Sequence, residues 1–195
     1  MKQQQGFTLI ETLIAIFLLT LTVGGLLELA AGGFYSVRYA RNQLVADALL
    51  QESLEYFHNS RDTAVQNTID WPTWLASFNV DSSGTQIQGS AGQGCFSSNG
   101  CIVDPYATNQ KVKACSSTCA PIVFYTSNDL YGYTSSTYPS QNGQTLNTAS
   151  PTTYVRTITL QQSSPDQVTI VSKVQWLNGS AQKSTSQSIL LTRWQ

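Results

Sequence analysis

The stretch Phe7–Leu27, FTLIETLIAIFLLTLTVGGLL, decides the fold because it is almost wholly apolar. It has about 21 residues, which at about 1.5 Å per residue of α-helix matches the roughly 30 Å of hydrocarbon in a bilayer. Glu11 is the only charged residue within it. We therefore predict a membrane-spanning helix over about residues 7–30, preceded by a short polar segment, residues 1–6.

Glu11 separates three explanations of this apolar stretch. A secretory signal peptide has an apolar core of about 7–15 residues followed by a small-residue cleavage site. The stretch here is longer, and Ala30-Ala31-Gly32 matches such a site only loosely. An ordinary membrane anchor fits the length but leaves a carboxylate in hydrocarbon, at a cost of about 2.5–3.5 kcal/mol. The third explanation provides a partner for Glu11.

The sequence Gly6-Phe7-Thr8-Leu9-Ile10-Glu11 resembles the type IV prepilin motif of type IV pilins and type II secretion pseudopilins. The resemblance implies that residues 1–6 are a leader, which a membrane-embedded prepilin peptidase cuts between Gly6 and Phe7 on the cytoplasmic side. It also implies methylation of the new Phe7 amine. Gly6 suits the cut, since a residue without Cβ lets an enzyme approach the backbone closely.

After cleavage, the Phe7 α-amino group gives Glu11 a partner of opposite charge. An α-amine has an ordinary pKa of about 7.7–8.0, so it is largely protonated at neutral pH. In the assembly that the resemblance implies, we expect the amine of one subunit and the Glu11 carboxylate of the next to neutralise each other inside the apolar helix packing and to fix the axial step. The alternative is that Glu11 is a tolerated polar residue near the membrane interface. We expect no special role for Glu28.

From Glu28 to about Asn59 the chain has no proline, and helical periodicity continues as an amphipathic helix over residues 31–60. Two stripes on this helix are predicted packing surfaces, the second on a different side of the helix. The first is Phe34, Val37, Leu44, Val45 and Ala48, and the second is Leu50, Leu54 and Phe57.

Residues 61–195 are predicted to form a β-rich head. Residues 80–151 are rich in Ser, Thr, Gly and Asn and are expected to be long loops with short β-prone pieces such as Ile122–Tyr125. Three antiparallel strands are expected over Tyr154–Leu160, Gln167–Trp176 and Ser186–Trp194, with a turn at Asn178-Gly179. The predicted fold class is α+β and pilin-like, in which the second half of the long helix packs on the C-terminal antiparallel sheet.

Four cysteines lie in the head as two close pairs, Cys95 with Cys101 and Cys115 with Cys119. Disulfides are expected if the compartment is oxidising, and local pairing is our first choice among the three possible pairings. A four-thiolate zinc site is the alternative, although such sites usually have tighter spacings.

Composition excludes several functional classes. Charged residues are only 11% of the chain and the formal net charge is −1, so we expect no nucleic-acid binding by the head. His58 has no accompanying nucleophile motif, and no cofactor or catalytic motif is found. Asp81, Asp104 and Asp129 are not spaced as metal ligands. We therefore predict no enzyme activity, no cofactor and no metal site.

The resemblance implies a single-pass protein of the bacterial inner membrane, with an extracytoplasmic head and a filament as its final location. Its expected partners are other pilin subunits, prepilin peptidase, the inner-membrane assembly platform and, before assembly, membrane lipid. Lys2 lies inside while Arg38 and Arg41 lie outside, so the positive-inside rule is neutral or slightly contrary. A head of this size favours a minor pilin or pseudopilin, and a type IV pilus, a secretion pseudopilus and a DNA-uptake pilus stay open. The alternative function is a membrane-tethered binding or adhesion module outside any filament.

Overall fold

The computed structural model of the chain describes residues 8–87, 92–107, 110–126, 129–133 and 149–194. The chain divides into two compact units between Arg41 and Asn42. The first unit contains the N-terminal part of helix α1 (Leu9–Gln66). The second contains the C-terminal part of α1 together with helix α2 (Trp71–Ala76) and the described strands.

Helix α1 satisfies its own polar groups within the apolar stretch. The backbone N–H groups of Glu11 and Thr12 donate to the Thr8 carbonyl. The hydroxyls of Thr12, Thr20 and Thr22 each donate to the carbonyl three residues earlier, at 2.8–2.9 Å. These three threonines therefore add no unsatisfied donor to the stretch, which suits a lipid environment.

The C-terminal end of α1 lies beyond the expected end near Asn59, at Gln66. Thr68 follows with a left-handed φ of 55°. The N–H of Ile69 donates to the Ala64 carbonyl and that of Thr68 to the Val65 carbonyl, the hydrogen-bond pattern of a Schellman cap. Buried Ala64 holds this extra length of helix against the core. The end was not predicted because threonine at the cap position is less usual than glycine or asparagine.

The described strands form one antiparallel sheet of seven. Strand β5 is the long central strand, with β6 and then β7 on one edge and both β1 and β3 on the other. Strand β2 pairs with β1, and β4 pairs with β3. The bounds are β1 Cys101–Val103, β2 Val112–Ala114, β3 Pro121–Tyr125, β4 Leu130–Gly132, β5 Ala149–Ser164, β6 Gln167–Asn178 and β7 Ala181–Thr192.

The C-terminal meander confirms the three predicted strands and their inner face. Val168, Ile170, Val174 and Trp176 are buried along β6, in alternation with more exposed residues. The hairpin between β6 and β7 is tighter than expected, because Asn178 pairs with Ala181 and leaves a two-residue loop. Gly179 has a φ of 66° there, a conformation that glycine adopts without strain. The polar stretch after the turn therefore belongs to β7.

The middle of the chain is more ordered than predicted. The β-prone piece Ile122–Tyr125 is confirmed as most of β3, but the expectation of long loops is wrong for β1, β2 and β4. Each of those strands has three residues, too few for an alternating pattern to stand out from a Ser- and Thr-rich background.

The C-terminal part of α1 packs on the sheet, as expected for an α+β fold of this kind. Leu50, Leu54 and Phe57, the second predicted stripe, are buried. Each large apolar side chain buried in this way contributes about 1.5–3 kcal/mol. Ser53 brings the helix close to the sheet, because its hydroxyl donates to the Ser172 hydroxyl of β6 at 2.7 Å.

The first predicted stripe is largely exposed among the residues that the structure describes. Phe34, Val37 and Leu44 are 70%, 67% and 71% exposed, Ala48 is exposed and Val45 is half-buried. The helix face that contacts the sheet instead includes Ala46 and Ser53, whose small side chains permit close approach. Hydrophobicity alone did not identify these two positions.

A cluster of aromatic side chains closes the core beside α2. The Trp74 indole N–H donates to the Ser60 hydroxyl at 3.0 Å and the Trp71 indole N–H to the Pro165 carbonyl at 2.8 Å. Trp194 packs edge-on against both tryptophans. The indole N–H groups of Trp71 and Trp74 are therefore both satisfied.

Candidate functional site

Gly6 and Phe7, the two residues of the predicted cleavage site, lie outside the described residues. Glu11 is described, and it lies exposed in the first turn of α1. A carboxylate in the first turn of a helix interacts favourably with the helix dipole, by about 0.3–1 kcal/mol. That gain is smaller than the cost of placing the carboxylate in hydrocarbon.

The surface of α1 that surrounds Glu11 is apolar on all sides. Its large side chains are 47–79% exposed: Leu9, Ile10, Leu13, Ile14, Ile16, Phe17, Leu18, Leu19, Leu21, Val23, Leu26, Leu27 and Leu29. The most apolar window of the helix has none of its residues buried, and α1 is long and apolar enough to cross a membrane. Length and composition alone do not distinguish such a helix from a signal sequence.

The family described as "Prokaryotic N-terminal methylation motif" matches residues 1–27. Residues 1–27 are a type IV prepilin signature. The prepilin signature covers the predicted leader, Gly6, Phe7, Glu11 and the apolar part of α1. Neither the comparison with curated proteins nor that with solved structures gives a match.

The prepilin signature decides between the explanations of the apolar stretch. It is the signature of type IV pilin-like prepilins, which a peptidase processes. Together with the apolar α1, it fits single-pass anchoring in the inner membrane. The resemblance to type IV pilins and pseudopilins is therefore confirmed for residues 1–27, and the α+β arrangement is the one expected of a pilin-like chain.

Two disulfides are present in the head, Cys95–Cys101 and Cys115–Cys119. Both are local, with Cα atoms 4.7 and 4.8 Å apart, within the usual range for a disulfide. The first joins a short 3-10 turn, Gly94–Phe96, to β1 and is fully buried. Cysteines joined in a disulfide have no thiolate to offer a metal ion. Among the described residues, no group of three or more His, Cys, Asp or Glu side chains could hold a metal ion.

A buried ion pair that the sequence analysis did not identify joins the helix to the sheet. Arg156 on β5 is 2% exposed, and its guanidinium lies 2.6 Å from the Glu52 carboxylate on α1. It also donates to the carbonyl of Leu49 at 2.9 Å and to that of Val103 at 2.6 Å. One side chain therefore connects α1, β1 and β5.

The alternation along β5 was the available signal for Arg156. Tyr154, Ile158 and Leu160 face the core, and Arg156 has the same parity. Burial lowers the pKa of Arg156, but Tyr133 and Glu52 outweigh burial, so its pKa is raised and the guanidinium stays charged. The pKa of Tyr133 is raised by burial, against the influence of the same guanidinium.

Proposed function

We propose that the protein is a structural subunit of a type IV pilus or of a related secretion or DNA-uptake filament, as a minor pilin or pseudopilin. In this proposal prepilin peptidase cuts between Gly6 and Phe7 and the Phe7 amine is methylated. The mature subunit then assembles through its apolar helix, and its Glu11 pairs with the Phe7 amine of a neighbouring subunit. The inner-membrane assembly platform and prepilin peptidase are its other partners, and the head is extracytoplasmic.

The prepilin signature on an exposed apolar helix is the observation that supports this proposal. Within the apolar stretch, the hydroxyls of Thr12, Thr20 and Thr22 donate to the backbone of the same helix. The Glu11 carboxylate is the charge that remains within Phe7–Leu27. A cation at the same depth in the membrane can neutralise the Glu11 carboxylate. Cleavage between Gly6 and Phe7 would create one, the α-amino group of Phe7, four residues from Glu11 in the sequence.

Processing is tested by co-expressing the full chain with prepilin peptidase and measuring the N-terminus by mass spectrometry. We expect a product that begins with N-methylated Phe7. Gly6→Leu, which places a bulky side chain at the cut, should leave the precursor uncut. A wild-type product that keeps Met1–Gly6 would contradict the proposal and favour a membrane-tethered module.

Assembly is tested separately with Glu11→Gln, which removes the charge and keeps the shape of the side chain. We expect normal cleavage at Gly6 but at least a tenfold loss of the subunit from sheared filaments, because the Phe7 amine then has no carboxylate partner. Glu28→Gln is the matched control and should be incorporated normally. Equal incorporation of Glu11→Gln and the wild type would overturn the charge-pairing mechanism while leaving processing intact.

A further inference from the structure

The turns of α1 that follow the apolar stretch have an unusual surface. Phe34, Tyr35 and Val37 are 70%, 53% and 67% exposed, and Arg38 and Arg41 are exposed beside them. Large apolar side chains clustered on a surface usually mark an interaction site. The two arginines lie on the side of the membrane where the positive-inside rule predicts few cations.

Helical spacing places these residues in an ordered stack. Phe34, Arg38 and Arg41 are four and three residues apart, so they share one face of α1. The order along that face is apolar stretch, then aromatic ring, then two guanidinium groups. A bilayer has the same order of layers from its centre outwards, namely hydrocarbon, an interface that favours aromatic rings, and phosphate groups.

The distances along α1 fit this match when the upper edge of the hydrocarbon lies near Ala31. If the upper edge of the hydrocarbon lies at Leu27, the Arg38 Cα is about 16 Å above that edge. If the lower edge lies at Glu11, a layer of about 30 Å ends near Ala31, and the Arg38 Cα is about 10 Å above the upper edge. The headgroup layer is about 5–7 Å thick. Helical side chains point towards the N-terminus and cover about one turn, roughly 5 Å, so the Arg38 side chain extends towards this layer. Arg41 lies about 4.5 Å further out, within reach of the phosphates over a Debye length of about 8 Å.

We propose that Phe34–Arg41 is an interfacial segment that binds the lipid headgroups of the leaflet on the head side. Phe34 and Tyr35 lie in the headgroup layer, and Arg38, with Arg41 above it, binds lipid phosphate through charge-assisted hydrogen bonds. Lipid is the occupant because the segment continues directly from the membrane span and is cationic and aromatic. The inference requires that α1 crosses a membrane, and it does not depend on processing or on filament assembly.

The position of the segment can be measured with a nitroxide at Val37→Cys in the full chain. The native cysteines form disulfides, so the new thiol is the one that is labelled. The chain is placed at one copy per nanodisc of phosphatidylcholine and phosphatidylglycerol. Nickel-chelate accessibility and paramagnetic broadening of the phosphate ³¹P signal are then recorded. Leu18→Cys is the hydrocarbon control and Ser180→Cys, in the exposed β6–β7 turn, is the aqueous control.

We expect the Val37 label to broaden the ³¹P signal severalfold more than either control label, with nickel accessibility between theirs. A Val37 label as accessible as the Ser180 label, without ³¹P broadening, would overturn the proposal.

The arginines are tested in the same discs. Arg38→Gln/Arg41→Gln should reduce the ³¹P broadening by the Val37 label at least twofold and raise its nickel accessibility. The matched control is Arg61→Gln/Arg193→Gln, which removes two arginines of the head that pair with Asp62 and Asp166. Unchanged broadening in the Arg38→Gln/Arg41→Gln variant would show that the arginines do not bind phosphate.

Discussion

At the scale of single residues, the stability of the head depends on Arg156, because a buried charge is costly when it loses its partners. The guanidinium is held by the Glu52 carboxylate and by two carbonyl groups on different elements. Removing the guanidinium leaves the buried carbonyl groups of Leu49 and Val103 without their donor, and the Glu52 carboxylate, whose side chain is 23% exposed, without its counter-charge. Together these losses are expected to cost about 3–5 kcal/mol. An exposed pair such as Arg193 with Asp166 contributes roughly 0–1 kcal/mol.

We therefore expect Arg156→Gln to lower the free energy of unfolding by about 3–5 kcal/mol, because glutamine cannot reach Glu52, Leu49 and Val103 together. Arg193→Gln should lower it by less than about 1 kcal/mol. Denaturant unfolding of the full chain in detergent, followed by tryptophan fluorescence, measures both. Equal effects of the two substitutions would contradict the role assigned to the buried guanidinium.

Tyr56 provides a prediction about pH. Burial raises its pKa to about 12 from the ordinary value of 10. The unfolded chain therefore loses this proton at a lower pH than the folded chain does, so the stabilisation is complete below pH 10 and is lost as the pH rises to about 12. Tyr56→Phe should reduce the loss of stability over this window by on the order of 2 kcal/mol. The free energy of unfolding is measured against pH for the wild type and the variant. Lysines titrate in the same pH range in both proteins, so only the difference between the two profiles reports on Tyr56. Parallel profiles would refute the prediction.

At the scale of elements, two glycines have nearly the same backbone conformation but different surroundings. Comparing them distinguishes the cost of a left-handed backbone from the cost of a steric clash. Gly100 and Gly179 have φ values of 69° and 66°. A Cβ on Gly100 would lie 2.5 Å from the Ile158 carbonyl oxygen in β5, whereas a Cβ on Gly179 would have no neighbour within 4 Å. Gly100 is therefore required for the approach of β1 to β5, and Gly179 only for the turn.

Gly179→Ala should cost about 1–2 kcal/mol from the left-handed backbone alone. Gly100→Ala should cost roughly 2–5 kcal/mol, because the clash with β5 is added. Denaturant unfolding again measures the difference, and each variant is the other's control. Indistinguishable costs would mean that β1 can shift away from β5 without loss.

The elements predicted from the sequence are those whose pattern is long enough to be distinctive. Strand β6 alternates over 12 residues, and the four large apolar residues of its inner face were identified, although the buried polar residues Ser172 and Asn178 on the same face were not. The strands of three residues had no such pattern. The inner position of Arg156 was not predicted, although the parity of β5 could have indicated it. Its partner Glu52 lies 104 residues away in sequence, and only the packing of α1 on the sheet brings the two together. The prepilin signature was recognisable because its chemistry is local, within residues 1–27.

At the scale of the whole molecule, the cysteines and the charges bear differently on orientation. The two disulfides require an oxidising compartment for the head. The distribution of Lys and Arg does not favour the same orientation, since Lys2 precedes the span and Arg38 and Arg41 follow it. If these arginines bind lipid phosphate, their position reflects the interface and carries no information about the direction of insertion. We therefore give the disulfides more weight and expect the head outside the cytoplasm.

This orientation predicts the reactivity of two single added thiols in cells that lack prepilin peptidase, where the leader is retained. Ser180→Cys should react with a membrane-impermeant maleimide on intact spheroplasts, because the turn that it occupies belongs to the head. Gln4→Cys, in the leader, should react only after the membrane is permeabilised. The native chain is the control, and it should react only after reduction, since its described cysteines are in disulfides. The reverse pattern, with the leader thiol accessible and the head thiol protected, would place the disulfides in the cytoplasm. It would also place Gly6 outside the cytoplasm, on the side of the membrane opposite to the proposed cut, and would therefore contradict the proposed processing as well.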